Sequence, residues 1–241
     1  MARGTLYLIS TPLGEGPLEA VIPPDVRSLA ARLDTFVVEH PKTARAFLKQ
    51  VGTQMPLQQL TLLELSEHTP AAALDALLAP LLAGKDVGLI SEAGCPAVAD
   101  PGANLVRLAQ RRNIRVVPLV GPSSIMLALM ASGLNGQRFA FHGYLPVDKL
   151  ERKKKLQELE AASRRRDETQ IFIETPYRNQ ALLEAILESC NGETELCVAE
   201  ELATAGERVR TKTLAQWKAA APELDKHPAV FLLYTPPKAR G

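Results

Sequence analysis

The first half of the chain alternates between two hydrophobic rhythms. Short apolar runs at Thr5–Ser10, Thr35–Val38, Val87–Ile90 and Val116–Val120 predict strands, and the stretches between them carry helical spacing. The clearest helical stripe is Leu74, Leu77, Leu78, Leu81 and Leu82, which recurs at i, i+3, i+4, i+7 and i+8 and stops at Gly84. Strands alternating with helices predict parallel pairing through right-handed crossovers. Past Gly133-Leu134-Asn135-Gly136 the rhythm shifts. Runs at Phe139–Gly143, Gln170–Glu174, Glu195–Ala199 and Val230–Tyr234 flank a charged helix over Lys149–Arg166 and a second amphipathic helix bearing Leu182, Leu183, Ile186 and Leu187. Leu196–Glu201 and Glu207–Thr213, with Gly206 between them, predict a hairpin. The expected fold class is α/β in two domains, residues 1–134 with a mostly parallel sheet and residues 137–241 with a mixed one.

Where strands give way to helices, the chain places small residues and proline. Ser10-Thr11-Pro12, Glu39-His40-Pro41, Asp100-Pro101, Gly121-Pro122 and Glu174-Thr175-Pro176 each follow an apolar run, and proline in the first helical turn loses no intrahelical hydrogen bond. In a parallel sheet such loops gather at the carboxyl edge, where ligands bind. Gly94, Gly102 and Gly121 are expected to let a ligand approach bare main chain, and the helix starts that follow offer N–H groups suited to a carboxylate, a phosphate or ribose hydroxyls.

Composition narrows the classes of function. With 28 Lys and Arg against 27 Asp and Glu, no long-range field drives the chain onto nucleic acid or an anionic membrane. Any RNA contact must come from a local patch. Cys95, Cys190 and Cys197 match neither a disulfide framework nor the paired spacing of a zinc site, which predicts a reducing cytoplasm and no structural metal. Met1-Ala2-Arg3-Gly4 leads directly into a strand, and no apolar run approaches the roughly 20 residues of a membrane span, so a soluble protein is expected.

Six motifs in register carry a family resemblance. They are Thr11-Pro12-Leu13-Gly14; Ser91-Glu92-Ala93-Gly94-Cys95-Pro96 followed by Asp100-Pro101-Gly102; Val120-Gly121-Pro122-Ser123-Ser124; Ser132-Gly133-Leu134; Gly143-Tyr144-Leu145-Pro146; and Glu174-Thr175-Pro176-Tyr177-Arg178. In order and spacing they resemble the tetrapyrrole-methylase superfamily, in particular its branch of ribose 2′-O-methyltransferases acting on small-subunit ribosomal RNA. The resemblance covers nearly the whole chain. It implies two α/β domains, S-adenosylmethionine in the cleft between them, and a homodimer. It further implies that Pro12 and Leu13 line the first loop, Ser91, Glu92, Ala93, Gly94 and Cys95 the second, and Gly121, Ser123 and Ser124 the helix start beneath the cofactor. Phe172, Ile173 and Glu174 would close the other side. Methyl transfer from a sulfonium is in-line displacement, so its catalysis is mostly positioning and exclusion of water.

The departures from that branch fall where the acceptor would lie. Val38-Glu39-His40-Pro41-Lys42 replaces an Ala-Glu-Asp-Thr-Arg pattern, Glu92 stands for an aspartate, and Glu200-Glu201-Leu202-Ala203-Thr204 replaces an Arg-Glu-Leu-Thr-Lys pattern, removing two cations. The branch's C-terminal helical domain is expected to be missing, since the sequence runs to Pro236-Pro237-Lys238-Ala239-Arg240-Gly241. Arg152, Lys153, Lys154, Lys155, Arg164, Arg165 and Arg166 form a dense basic run, but interleaved Glu151, Glu158 and Glu160 favour a solvated helix face over an RNA-binding one. For the proton of a ribose hydroxyl, Glu39 and His40 are the candidate bases, with Arg178 as a further catalytic candidate. The expected activity is methyl transfer from S-adenosylmethionine to ribosomal RNA. Transfer to a small molecule such as a tetrapyrrole, and cofactor binding without catalysis, are the alternatives.

Overall fold

The computed structural model describes residues 3–220, 222–224 and 226–237; Met1-Ala2 and the terminal Lys238-Ala239-Arg240-Gly241 named above lie outside the described residues. The chain divides into two compact units, Met1–Ser123 and Ser124–Gly241.

In the first unit the elements run β1 (Thr5–Ile9), α1 (Leu18–Val21), α2 (Pro24–Arg32), β2 (Thr35–Val38), α3 (Pro41–Val51), β3 (Thr61–Glu64), α4 (Ala71–Leu82), β4 (Val87–Ile90), α5 (Gly102–Arg111) and β5 (Arg115–Pro118). All five strands are parallel, in the order β3-β2-β4-β1-β5. Every residue of β2 and β4 is buried, as expected of central parallel strands covered on both faces. One face packs Ile9, Phe36, Val38 and Ile90 against Val26 and Ala30 of α2 and Phe47 and Leu48 of α3. The other packs Leu6, Val37, Val87 and Leu89 against Leu74, Leu77, Leu78 and Leu81 of α4 and Leu105 of α5, so four members of the predicted leucine stripe are core, while Leu82, at the end of the helix, is exposed. Helices therefore leave β1 and β2 toward one face and β4 toward the other. The adjacent strands β1 and β4 thus frame a topological switch point, where the loops diverge at the carboxyl edge.

The edge strand β3 was not foreseen. Its residues are half-exposed or exposed, and Thr61-Leu62-Leu63-Glu64 is too short for any period to stand out. The last strand of this unit begins one residue earlier than Val116–Val120 and ends two earlier, although the Leu119 N–H still donates to the Leu8 carbonyl of β1 at 2.9 Å.

The second unit comprises α6 (Ser124–Ser132), β6 (Phe139–Tyr144), α7 (Lys149–Arg166), β7 (Thr169–Ile173), α8 (Asn179–Ser189), β8 (Glu195–Glu200), β9 (Arg208–Thr213), α9 (Leu214–Ala219) and β10 (Ala229–Tyr234). Its sheet has the order β6-β7-β10-β8-β9 and is mixed: β6 and β7 are parallel, and the remaining pairs antiparallel. The β8–β9 hairpin forms as the sequence predicted. Leu156, Leu159, Leu182, Leu183, Ile186 and Trp217 from α7, α8 and α9 bury Phe172, Leu196, Val198, Phe231 and Leu233 on one face. On the other, Thr211 donates its hydroxyl to the Ser132 carbonyl of α6 at 2.7 Å. The bounds of α7 match the charged run because both ends are signalled. The Asp148 carboxylate accepts the backbone N–H groups of Leu150 and Glu151, and Asp167 closes the helix in the left-handed region at φ 54°.

Candidate functional site

At the carboxyl edge of the first sheet, three loops are joined to one another. Thr11, just past β1, and Gly94, past β4, exchange backbone hydrogen bonds of 3.0 and 3.1 Å in an isolated antiparallel bridge. The Thr11 hydroxyl donates to the Ser91 carbonyl, and the Ser91 hydroxyl donates to the Gly94 carbonyl at 2.8 Å. Cys95 ties in the loop after β5: its thiol contacts the Pro122 carbonyl at 3.4 Å, and the Ser10 hydroxyl approaches its sulfur at 3.6 Å. Ser10, Thr11 and Ser91 are buried, whereas Pro12, Leu13 and Glu92 are half-buried and Ala93 is exposed. The loops are thus tied together through their buried residues, with Ala93 exposed.

The glycines answer a different need from the one the sequence suggested. A Cβ on Gly121 would lie 2.4 Å from the Cβ of buried Ser10, and one on Gly102 would lie 2.8 Å from Leu89 and 2.9 Å from the Asp100 carboxylate. Gly94 sits at φ +74°, where a Cβ is disfavoured, and its Cβ would meet Leu13 at 3.1 Å. Gly102 and Gly121 are glycine because the chain packs against itself there, and Gly94 because of its left-handed backbone. Ala97 and Ala99 adopt left-handed φ of 67° and 55° without that freedom, and this local strain shapes the loop between Cys95 and Pro101. Asp100 holds the turn by accepting the N–H groups of Ala97 at 3.1 Å and Gly102 at 2.7 Å.

Glu39, one residue past β2, lies at the same edge. Burial raises its pKa, the carboxylates of Asp100 and Glu92 raise it further, His40 opposes them, and Glu67 adds a smaller push upward. Three carboxylates from two other loops therefore act on Glu39. Asp100 was legible only as a helix start before proline, and Glu67 carried no signal in the sequence. His40 occupies the N-cap of α3 with Pro41 at the first helical position; it is exposed and makes no capping bond.

In the second unit, the sequence-predicted residues Phe172, Ile173, Glu174 and Arg178 lie at and just past the end of β7. Phe172 is fully buried and stacks at 6.1 Å on Phe231, so its side chain belongs to the core. Ile173 is half-buried. The Glu174 side chain is 1% exposed, and its Oε1 accepts both the Thr175 N–H at 2.7 Å and an Arg178 Nη2 at 2.6 Å. Its Oε2 and the Arg178 Nε are buried without a hydrogen-bond partner among the described residues. Ser124 opens α6, and Ser123 precedes it half-buried.

The family model for tetrapyrrole (corrin/porphyrin) methylases matches residues 5–218. A "Ribosomal RNA small subunit methyltransferase I" of Mesorhizobium japonicum is 38% identical over 209 residues, covering 87% of this chain and 67% of the relative. Relatives of the same name from Pseudomonas aeruginosa and Haemophilus influenzae are 33% and 30% identical, over 90% and 98% of this chain and 72% and 80% of their own. The chain belongs to the tetrapyrrole methylase family. Among solved structures it is similar to the methyltransferase CobJ, with a TM-score of 0.61 at 20% identity over 98% of this chain and 100% of that one. The cobalt precorrin-4 methyltransferase CbiF gives a TM-score of 0.60 at 15% identity over 95% and 94%. At such identities the likeness is one of fold.

As a tetrapyrrole methylase the chain is a methyltransferase, and methyltransferases of this family use S-adenosylmethionine. The chemistry of the first unit's edge fits that group. A set of carboxylates suits a ligand carrying a sulfonium and an ammonium. In the second unit, taken by itself, the buried Glu174 Oε2 is an acceptor with no donor among the described residues. No group of His, Cys, Asp and Glu that could hold a metal is found among the described residues, and no described helix is long and apolar enough to cross a membrane. A cleft of about 340 Å³ lies elsewhere, at the amino edge of the first sheet, between Leu29, Leu33, Asp34 and Lys85. Its Lys85 pairs with Asp34 at 3.7 Å and its Asp86 accepts the Thr5 N–H at 2.7 Å, so these charges are satisfied by the chain.

The basic run on α7 is thinner than the sequence suggested. Arg152 is 6% exposed and donates to the Val147 carbonyl, which removes it from the surface. Lys155 pairs with Glu158 at 4.0 Å and Arg166 with Glu168 at 3.9 Å. The predicted loss of cations at Glu200 is offset within the sheet. Glu200, 2% exposed, is bracketed by Arg208 at 3.3 Å and Arg210 at 2.9 Å from β9.

Proposed function

We propose that this chain transfers the methyl group of S-adenosylmethionine to a ribose 2′ oxygen of small-subunit ribosomal RNA. The observation that carries the reading is Glu39, whose carboxyl is held above its usual range by burial and by Asp100 and Glu92 at the ligand-binding edge of the sheet. Carboxyl groups perturbed by burial and by like charges gather at functional sites, and this supports the reading of the edge as one. The shared name of relatives 30–38% identical supports RNA as the acceptor.

On this reading Pro12, Leu13, Ser91 to Cys95, Gly121, Ser123 and Ser124 hold the cofactor, with Phe172 to Glu174 contributing main chain and the Glu174 carboxylate. When bound, the cofactor supplies an electrophilic methyl on a sulfonium. Glu39 accepts the proton of the attacking hydroxyl, which a raised pKa favours, and exposed His40 carries that proton to water. Arg178, one edge of which is fixed on Glu174, presents its remaining donors to the acceptor.

Two further features belong to the proposal. A homodimer is supported by α6, which displays Met130 at 75% and Met126 at 44% exposure on an otherwise apolar helix. A cytoplasmic location is supported by three free cysteines. Calorimetry with S-adenosylmethionine, and tritium transfer from the labelled cofactor into 30S subunits from a strain lacking this gene, test the activity. Heat of binding together with label in RNA is expected. Label confined to a small-molecule fraction, or binding with no transfer to anything, refutes the RNA reading.

A further inference from the structure

The segment after β7 carries an aromatic side chain that the core does not use. Tyr177 sits in a single 3-10 turn, Pro176–Arg178, and is 80% exposed. Its hydroxyl has no hydrogen-bond partner among the described residues, so neither packing nor a polar network of the chain explains it. The backbone beneath it is rigid. Pro176 fixes the first position of the turn, and Thr175 and Arg178 are both bonded to the buried Glu174 carboxylate.

A cation is held beside that ring. The Lys226 Nζ lies 5.6 Å from the ring centroid, and its stretch of chain is pinned on both sides to the first turn of α8. Asn179, fully buried, donates to the His227 carbonyl at 2.8 Å, and Gln180 accepts the Leu224 N–H at 2.9 Å. Of the neighbouring charges, Arg178 is engaged by Glu174 and His227 by Glu201 at 3.2 Å. Among the described residues, Lys226 has the face of an aromatic ring as its partner.

We propose that Tyr177 and Lys226 form a platform for one nucleotide of single-stranded RNA, the base stacking on the tyrosine ring and the adjoining phosphate resting on the ammonium. This rests on the RNA reading above and extends it to a contact outside the cofactor site. The chemistry selects the partner. An exposed, preorganised aromatic face accepts any base without hydrogen-bond readout, and a lysine alongside it neutralises one backbone charge. In a chain with a formal net charge of only +1, such a local contact supplies affinity that no general field provides.

The test compares wild type, Tyr177→Ala, Tyr177→Phe and Lys226→Ala in tritium transfer to 30S subunits lacking the modification. Binding of a fluorescein-labelled, unstructured oligoribonucleotide is measured at several salt concentrations alongside it. Loss of the ring is expected to raise the KM for 30S subunits and the Kd for the oligonucleotide about tenfold, with phenylalanine restoring both. Lys226→Ala is expected to flatten the slope of log K against log salt by about 0.7. Cofactor affinity by calorimetry stays at the wild-type value throughout. An unchanged KM and Kd in Tyr177→Ala, with wild type still methylating RNA, overturns the platform and leaves the RNA reading intact. A fall in cofactor affinity instead assigns the ring to the cofactor and also overturns it. Absence of transfer to RNA by the wild type removes both together.

Discussion

Replacing Gly121 by alanine isolates the packing that fixes the three loops. Gly121 does not occupy the left-handed region, so alanine brings no backbone strain there and the whole effect lies in the new methyl group. That methyl would stand 2.4 Å from the Ser10 Cβ and 2.9 Å from its hydroxyl, whereas ordinary contacts begin near 3.4 Å. Something must therefore move by about 1 Å. Ser10 is 2% exposed and is followed by Thr11, whose bridge to Gly94 resists the shift. Overpacking of this kind costs about 1–3 kcal/mol, which in a chain of this length lowers Tm by a few to about 10 °C. The second perturbation, Ser10→Gly, removes the obstructing atom. Alone it destabilises by roughly 0.5–1 kcal/mol through the freedom of glycine, with some further loss from the Cys95 contact. In the double variant the two changes compensate, and urea denaturation of all four proteins yields a favourable coupling energy of at least about 1 kcal/mol. Calorimetry on the same set follows the loops themselves: Gly121→Ala weakens cofactor binding, and the double variant recovers part of it. A Gly121→Ala protein as stable as wild type, or a double variant no better than Gly121→Ala, refutes the reasoning that this glycine exists for Ser10.

Other expectations follow from the charges. Because the folded pKa of Glu39 is raised, folding favours its protonated form, and stability is lost as pH rises from the ordinary carboxylate range through the folded value. Glu39→Gln should therefore gain stability over wild type in urea at pH 7 and gain little or nothing near pH 4, while methyl transfer falls; a gain that does not grow with pH contradicts the assignment. Glu200→Gln should cost about 1–2 kcal/mol by urea midpoint, less than the 3–5 of a fully buried pair, since Arg208 and Arg210 remain 47% and 38% exposed and regain water. Lys153→Ala with Lys154→Ala should leave the salt dependence of RNA binding within experimental error, and a clearly flatter slope would restore α7 as an RNA face.

The central strands were legible because burial on both faces leaves an apolar run with sharp ends, as at Thr35–Val38 and Val87–Ile90. Helix α7 was legible for another reason, its dense charged run between apolar stretches; the capping roles of Asp148 and Asp167 emerged only in the fold. The edge strand β3 was not, since pairing with β2 along one side needs no hydrophobic pattern. At the site, the loops could be located from proline and small residues, but the partners of those residues lie about 80 positions away in sequence, as Thr11 and Ser10 do from Ser91 and Cys95. Gly121 illustrates the gap. Its lack of a Cβ was visible at once, whereas the atom that requires it, on Ser10, became apparent only after folding. Likewise, Arg152 counted as surface charge until the fold buried it.

The antiparallel exchange between Thr11 and Gly94 sets the terms on which anything can be received at that edge. Two loops already locked together by the chain's own bonds have little freedom left to surrender when a guest arrives. Association there is governed by how well the incoming molecule replaces its own water shell, and the on-rate is set by encounter rather than by waiting for a loop to find its shape.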